Sequence, residues 1–409
     1  MRDATSSTFA DNARLPVHRW FRFTAGFSAD WAKSVISELA GDGMVLDPFA
    51  GSGTALLAAE EAGARSCGVE SHPFFFRVAR AKLAWRSDPD RYLELARAVR
   101  AGSARPGDIG RYPELVRRCY SDAALAELDG MRISLEGLAD GSPAHELAWL
   151  TLVGILRRVA RVKSAQWQYI LPNQAREPKA SPSAAFDALS HIVAEDMRGR
   201  AGRLRDAPPP RLLEADSRSG GFPGGATLVL TSPPYPNNFD YADAARLEMS
   251  FLGEVGGWGD LKSFSGRLVR SCSQHASSKS VDLEAILTGP EVAPIRGDLE
   301  RACLAMGEAR LTHGGKKNYH LMVAAYFHDM ALVWGSLREA CVWGCRACFV
   351  VGDSAPYGVH VPVAEWLGRL AVAAGFRGFR FERTRDRNVK WRNRKHRVPL
   401  CEGRLWVEG

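Results

Sequence analysis

Between Gly43 and Glu70 the chain reads strand, glycine turn, helix, strand, and that order restricts the fold more than any other stretch. Met44-Val45-Leu46 is a short apolar run ending in Asp47-Pro48. Phe49-Ala50-Gly51-Ser52-Gly53-Thr54 follows, then the helix former Ala55-Leu56-Leu57-Ala58-Ala59-Glu60-Glu61, with Gly63 where a helix would be capped. Ser66-Cys67-Gly68-Val69 reads as a second strand ending in the acid Glu70. A βαβ unit of this kind joins parallel strands by a right-handed crossover, so an α/β, doubly wound sheet is expected. In such a sheet the binding turns lie at the carboxyl ends of the strands.

The rest of the chain divides around this unit. A helix is expected from Pro73 to about Trp85. Residues 88–207 then read as amphipathic helices broken at Gly110, Gly141 and Pro172, without a convincing strand pair. Arg203 to Pro210, with Pro208-Pro209-Pro210, reads as a linker. Sheet patterning resumes with Ala226 to Leu230, Ala347 to Val351, and two edge strands at Gly378 to Glu382 and Gly403 to Val407. A helix from about Pro362 to Ala374 is closed by Gly375. The expected organisation is a catalytic domain formed by residues 1–86 and 206–409, interrupted by a helical insertion, 87–205, that is a candidate target-recognition region.

Two strings carry chemistry. In Asp47 to Thr54, the glycines at 51 and 53 let a ligand approach the backbone. Position 56 is Leu, so the third glycine of a dinucleotide fingerprint is missing, and no lysine follows to grip phosphates. Glu70, 19 residues beyond Gly51, is placed to accept hydrogen bonds from ribose hydroxyls. A nucleoside without phosphates and with a small charged tail fits, and S-adenosylmethionine is such a ligand. The second string, Thr231-Ser232-Pro233-Pro234-Tyr235, ends an apolar strand, because two prolines are costly inside a sheet. The prolines lack N–H groups and hold nearby carbonyls in fixed directions. Those carbonyls and the Ser232 hydroxyl suit an exocyclic amine, and Tyr235 offers a face on which a base stacks.

Taken together, Asp47-Pro48-Phe49-Ala50-Gly51-Ser52-Gly53-Thr54 and Ser232-Pro233-Pro234-Tyr235 resemble the S-adenosylmethionine-dependent amino-methyltransferases that modify cytosine N4 or adenine N6 in DNA. The resemblance implies a Rossmann-like methyltransferase sheet. It implies that Phe23, in the segment Phe21 to Trp31, packs against the methionine part of the cofactor, and that Asp216 approaches its adenine. It implies that Tyr241 to Glu248 is the helix after the catalytic loop and Val350 to Asp353 a core strand. In many cytosine-N4 enzymes the Ser-Pro-Pro-Tyr string comes first; here it follows the glycine loop by about 180 residues. Serine at 232 leans toward cytosine. The implied mechanism needs no covalent intermediate: Ser232 and the Pro233 carbonyl hold the amine and aim its lone pair at the methyl group. A base in duplex DNA must first leave the stack, with Tyr235 and Phe239 receiving it.

Composition supports an anionic partner: 54 Lys and Arg against 46 Asp and Glu leave a formal charge of +8. Arg377 to Arg397 holds ten of those cations, with Trp391 between Lys390 and Arg392 and then Arg394 and Lys395. That interleaving suits a phosphate backbone and an unpaired base. Arg157, Arg158, Arg161 and Lys163, followed by Gln166-Trp167-Gln168-Tyr169, form a second such candidate. Cys341, Cys345 and Cys348 lead into the apolar run Phe349 to Val351 and read as packing thiols, and His320 and His328 as packing or surface residues, so no metal site is expected. The apolar run Leu147 to Leu156 has 10 residues, about half of the ~20 that a bilayer needs. With Arg2, Asp3 and Asp11 near its start and no apolar segment there, the chain is expected to be cytoplasmic, with no membrane contact. The expected activity is site-specific DNA methylation, with a cognate restriction endonuclease as a candidate partner. Methylation of RNA and a catalytically silent nucleic-acid-binding relative are the alternatives.

Overall fold

The computed structural model describes residues 9–23, 26–164, 170–312, 317–387 and 398–409. Its strands are β1 Met44–Asp47, β2 Arg65–Glu70, β3 Val162–Ser164, β4 Ile170–Ala175, β5 Arg211–Glu214, β6 Ala226–Thr231, β7 Cys341–Gly352, β8 Gly378–Arg387 and β9 Leu400–Glu408. Seven of them form one sheet in the order β5-β2-β1-β6-β7-β9-β8. The first five run parallel; β9 is antiparallel to both its neighbours. The edges of the sheet are therefore β5 and β8. The expectation of two edge strands at the end of the chain is corrected: β9 lies between β7 and β8. Its residues are nearly all buried or half-buried, as a strand covered on both faces must be.

Both faces of the sheet are covered. In β1 and β6, Val45, Leu228 and Leu230 point toward α1 (Ala29–Leu39) and α2 (Thr54–Glu61), while Leu46 and Val229 point toward the helices Tyr319–Ala340 and Val363–Ala373. This alternation is the period of two that a strand imposes. The three cysteines of β7 belong to these layers, Cys341 and Cys345 to one and Cys348 to the other, all buried.

The segment before the sheet resumes is mainly helical. Its helices Pro89–Ala101, Pro143–Val159 and Pro182–Ala201 open alike: Asp88, Ser142 or Ser181 accepts a backbone N–H of the first turn, and a proline follows at the first helical position. Their apolar faces meet Phe74, Phe75 and Val78 of α3 (Pro73–Leu83), together with Val17 and Trp20 near the N-terminus, in one continuous core. Buried ion pairs fasten the last of these helices to its surroundings. Arg200 reaches Glu60 on α2 at 2.8 Å, and Asp196 receives Arg19 at 2.6 Å.

One strand pair within this segment corrects the helix-only expectation, because β3 and β4 form an antiparallel hairpin. The pair is short and shifts register between Val162 and Lys163, so it has no sequence alternation to announce it. Pro172, expected to interrupt a helix, lies within β4, at an edge where its missing N–H is tolerated.

Candidate active site

Parallel pairing decides where the site forms. β1 pairs with β2 on one side and β6 on the other, so the carboxyl ends of all three lie along one rim. The strand order reverses at β1, which is where open α/β sheets leave a crevice. Leu46 lies opposite Val229, and the next turns therefore meet. Thr231 donates its hydroxyl to Asp47 Oδ1 at 2.6 Å across 184 residues of sequence.

Asp47 is 2 % exposed and also accepts the Phe49 N–H at 3.0 Å. It clamps the glycine turn to the end of β6. The turn is then held by Ala50 N–H to Val69 O, by Gly53 N–H to Ala50 O, and by Ser217, whose hydroxyl donates to the Pro48 carbonyl. Gly51 adopts φ +53°, and a Cβ there would lie 2.9 Å from the Phe23 ring. Its N–H donates to Glu70 Oε2 at 2.7 Å, while the His72 N–H donates to Oε1 at 2.8 Å. Burial pushes both carboxyls, Asp47 and Glu70, up to about 7 against the pull of these donors. Burial also lowers His72 to about 4, which leaves its ring neutral.

Phe23, Phe49, Gly51, Glu70 and Asp216 share the walls of one cavity with Ser232 and Pro234. Counted together with the solvent at its open mouth, it spans about 690 Å³. Phe23 packs edge-on against Phe75 with centroids 4.9 Å apart. Asp216 is engaged by Arg218 at 2.6 Å, and Arg218 in turn reaches the buried Asp329 at 3.2 Å. Ser232 donates to the Val350 carbonyl at 3.3 Å. With its proton so used, Oγ retains lone pairs that can accept.

The remaining candidates lie elsewhere. Pro48, Ala50 and Gly53 shape the turn without lining this cavity, and Ser52 and Thr54 line a second cleft. Pro233 is buried beside Ser232 and Pro234, and Tyr235 lies behind the lining residues, its hydroxyl at Ser232 and its ring beneath the Arg387 guanidinium, 5.2 Å from the ring centre. Tyr241, braced edge-on by Phe239 at 4.6 Å, stands on the cavity wall with Phe23, Phe49 and Phe75. Lys390, Trp391, Arg392, Arg394 and Lys395 lie outside the described residues, as do Gln166, Trp167, Gln168 and Tyr169.

Sequence reasoning missed one wall altogether. Arg267, Leu268, Val269, Ser271 and His275 also line the cavity, from a stretch with neither motif nor periodicity. His72 and Phe75, just beyond Glu70, also line the cavity without a sequence signal of their own.

The second cleft shares Phe23 with the first and has about 1740 Å³ of open volume. Arg19, Arg22, Lys82, Arg157, Arg158, Lys163 and Arg176 line it, with Glu248 as its acid. Arg157 is committed to Glu248 at 2.6 Å, which ties the insertion to the helix Arg246–Leu252 behind the Ser232 turn. Arg158 and Arg176 donate to backbone carbonyls. Lys82 is buried and lowered to about 7 by that burial.

Among the described residues no cluster of His, Cys, Asp or Glu is arranged to hold a metal ion, and no helix is long and apolar enough to cross a membrane.

Comparison with known proteins adds likenesses of sequence and of structure. Residues 7–81 match a family model described as DNA methylase. The type II methyltransferase M.BsoBI of Geobacillus stearothermophilus is 23 % identical over 431 residues, spanning 90 % of this chain and 80 % of the relative. The type II methyltransferase M.AvaI of a Nostoc strain is 24 % identical over 403 residues, with 90 % and 81 % covered. A solved rRNA methyltransferase, aviRa from Streptomyces viridochromogenes, aligns over 96 % of this chain and 85 % of its own at 11 % identity. Its TM-score of 0.26 is too low to bear on the fold.

Proposed function

We propose, from the premise that the chain is an S-adenosylmethionine-dependent methyltransferase of the N6/N4 amino type, that it methylates an exocyclic amine of a flipped base in duplex DNA, with cytosine N4 as the target. The observation that carries this reading is the meeting of the glycine turn and the Ser232 turn in one cavity.

The residues fit the donor. Glu70 stands at the strand end where ribose hydroxyls are bound, and Gly51 has no side chain to fill the space in front of Phe23. When bound, S-adenosylmethionine supplies an electrophilic methyl group. The chain's own residues supply position. We assign Ser232 Oγ and the neighbouring Pro233 carbonyl to the amine N–H groups, which favours a pyramidal nitrogen with its lone pair free to attack. Tyr241, on the cavity wall, takes the stacking role assigned from sequence to Tyr235. Asp47 acts through Thr231 and Phe49 as a positioning residue. Serine at 232 supports cytosine.

We assign residues 1–86 and 206–409 to catalysis and 87–205 to target recognition. The cation-lined cleft between the N-terminal segment and the β3–β4 hairpin is then a surface for the phosphate backbone, alongside Lys390, Trp391, Arg392, Arg394 and Lys395. A cognate restriction endonuclease belongs to the same reading, as do the type II names of the relatives.

Incubation with duplex DNA and labelled cofactor, digestion to nucleosides and mass spectrometry test the reading. N4-methylcytosine is the expected product. N6-methyladenine overturns the base assignment, and labelling of structured RNA alone overturns the substrate.

A further inference from the structure

The wall that sequence reasoning missed contains a second titratable pair. His275 Nε2 lies 3.3 Å from Asp240 Oδ1, and both side chains are at least nine-tenths buried. Asp240 belongs to the segment that follows the Ser232 turn, and its Oδ1 also accepts the N–H groups of Ala242 at 2.9 Å and Asp243 at 3.3 Å. Burial works against the charge on Asp240, but His275 and these N–H groups outweigh it and hold the carboxyl below its usual range. An ionised Asp240 can only accept, so the ring proton of a neutral His275 sits on Nε2.

That leaves Nδ1 with a lone pair. Nδ1 is buried and meets no hydrogen-bond partner among the described residues, while the ring lines the same cavity as Ser232 and Tyr241. A buried ring nitrogen without a partner is costly unless something that enters the site satisfies it. A ring nitrogen without a partner, on a ring aligned by a carboxylate through its other nitrogen, is the arrangement of a general base.

We propose that His275, aligned by Asp240, accepts the proton that the target amine releases on methylation. The step balances: the amine lone pair forms the new N–C bond and the electrons of the broken C–S bond remain on sulfur. In the same step, as positive charge develops on that nitrogen, it gives one proton to His275 Nδ1, which passes it to solvent. The inference rests on the proposed function, because it needs an amine in this cavity. Besides Asp240, the titratable or charged groups facing this cavity are Glu70, His72, Asp216, Tyr241 and Arg267. Of these, Glu70 is lifted by burial to about 7 and so changes charge near neutrality. Rates must therefore be read at saturating cofactor.

Two measurements test it. The first is independent of turnover: ¹⁵N shifts of His275 in the free protein, at a pH where the ring is neutral, must report a proton on Nε2. A proton on Nδ1 overturns the proposal. The second is single-turnover methyl transfer at saturating cofactor across pH, in wild type, H275A and H275Q. General bases contribute ~10²–10⁴-fold, so H275A is expected to slow transfer by about 100-fold. It should also lose the wild type's decline on acidification and recover rate with added imidazole, with calorimetric cofactor affinity unchanged. H275A within threefold of wild type, or keeping the acid decline, overturns the proposal. S232A is measured alongside: normal S232A and H275A rates together would instead refute the amine site itself.

Discussion

Gly51→Ala perturbs the cavity at one atom. Its φ of +53° lies in the left-handed region, where a Cβ costs ~1–2 kcal/mol. The new Cβ would stand 2.9 Å from Phe23 Cε1 and 3.1 Å from Cζ, so the ring must move. Phe23 is braced by Phe75 at 4.9 Å, and giving up such an edge-on pairing costs ~0.5–1.5 kcal/mol. The two terms sum to about 1.5–3.5 kcal/mol, or roughly 10- to 300-fold in affinity at ~1.4 kcal/mol per tenfold. Without ligand the turn relieves this strain by relaxing; with cofactor bound it cannot, so the cost falls on binding. Gly63→Ala is the control. It has the same sign of φ, +72°, with nothing within 4 Å of its Cβ. It should lower stability by ~1–2 kcal/mol and leave binding alone. Calorimetric titration with S-adenosylmethionine and thermal melting read the two effects. A Gly51→Ala variant that binds within threefold of wild type refutes the assignment of this turn, as does an equal loss of affinity in Gly63→Ala.

Cofactor affinity is expected to depend on pH through Glu70. Hydroxyl donors favour its ionised form, so binding should tighten as pH rises through about 7, and Glu70→Gln should flatten the curve. Since its carboxyl is raised from 4.5 to about 7, the unliganded fold loses the corresponding stability as pH climbs between those values, which melting at pH 5 and pH 8 checks. Tyr241→Ala should weaken capture of the base by the ~1–3 kcal/mol that stacking supplies, and Tyr235→Ala by less; 2-aminopurine fluorescence at the target position measures it. Replacing Arg158 and Lys163 with Gln should reduce the slope of log affinity against log salt by ~0.9 for each phosphate left without its cation. An unchanged slope removes that cleft from the DNA interface.

How much was legible follows from where each signal resides. Parallel strands, the order of the elements and the identity of both turns are local properties. An apolar run ending in Asp47-Pro48 and one ending in Pro233-Pro234 announce themselves through φ restriction and missing N–H groups. The β3–β4 hairpin did not, because its three-residue strand has too few positions to show a period. Sequence singled out Tyr235 within its motif, whereas packing puts Tyr241 rather than Tyr235 on the cavity wall. His275 carried no signal at all, since its stretch has neither motif nor repeat.

Backbone chemistry and periodicity alone therefore determined a doubly wound sheet, its glycine turn and its double-proline turn. Tertiary structure decided which side chains share the crevice. Strand pairing joins residues 184 positions apart, as Asp47 and Thr231 are, and no local rule ranks such encounters. The stretch 267–275 lines the cavity through packing rather than through any pattern of its own.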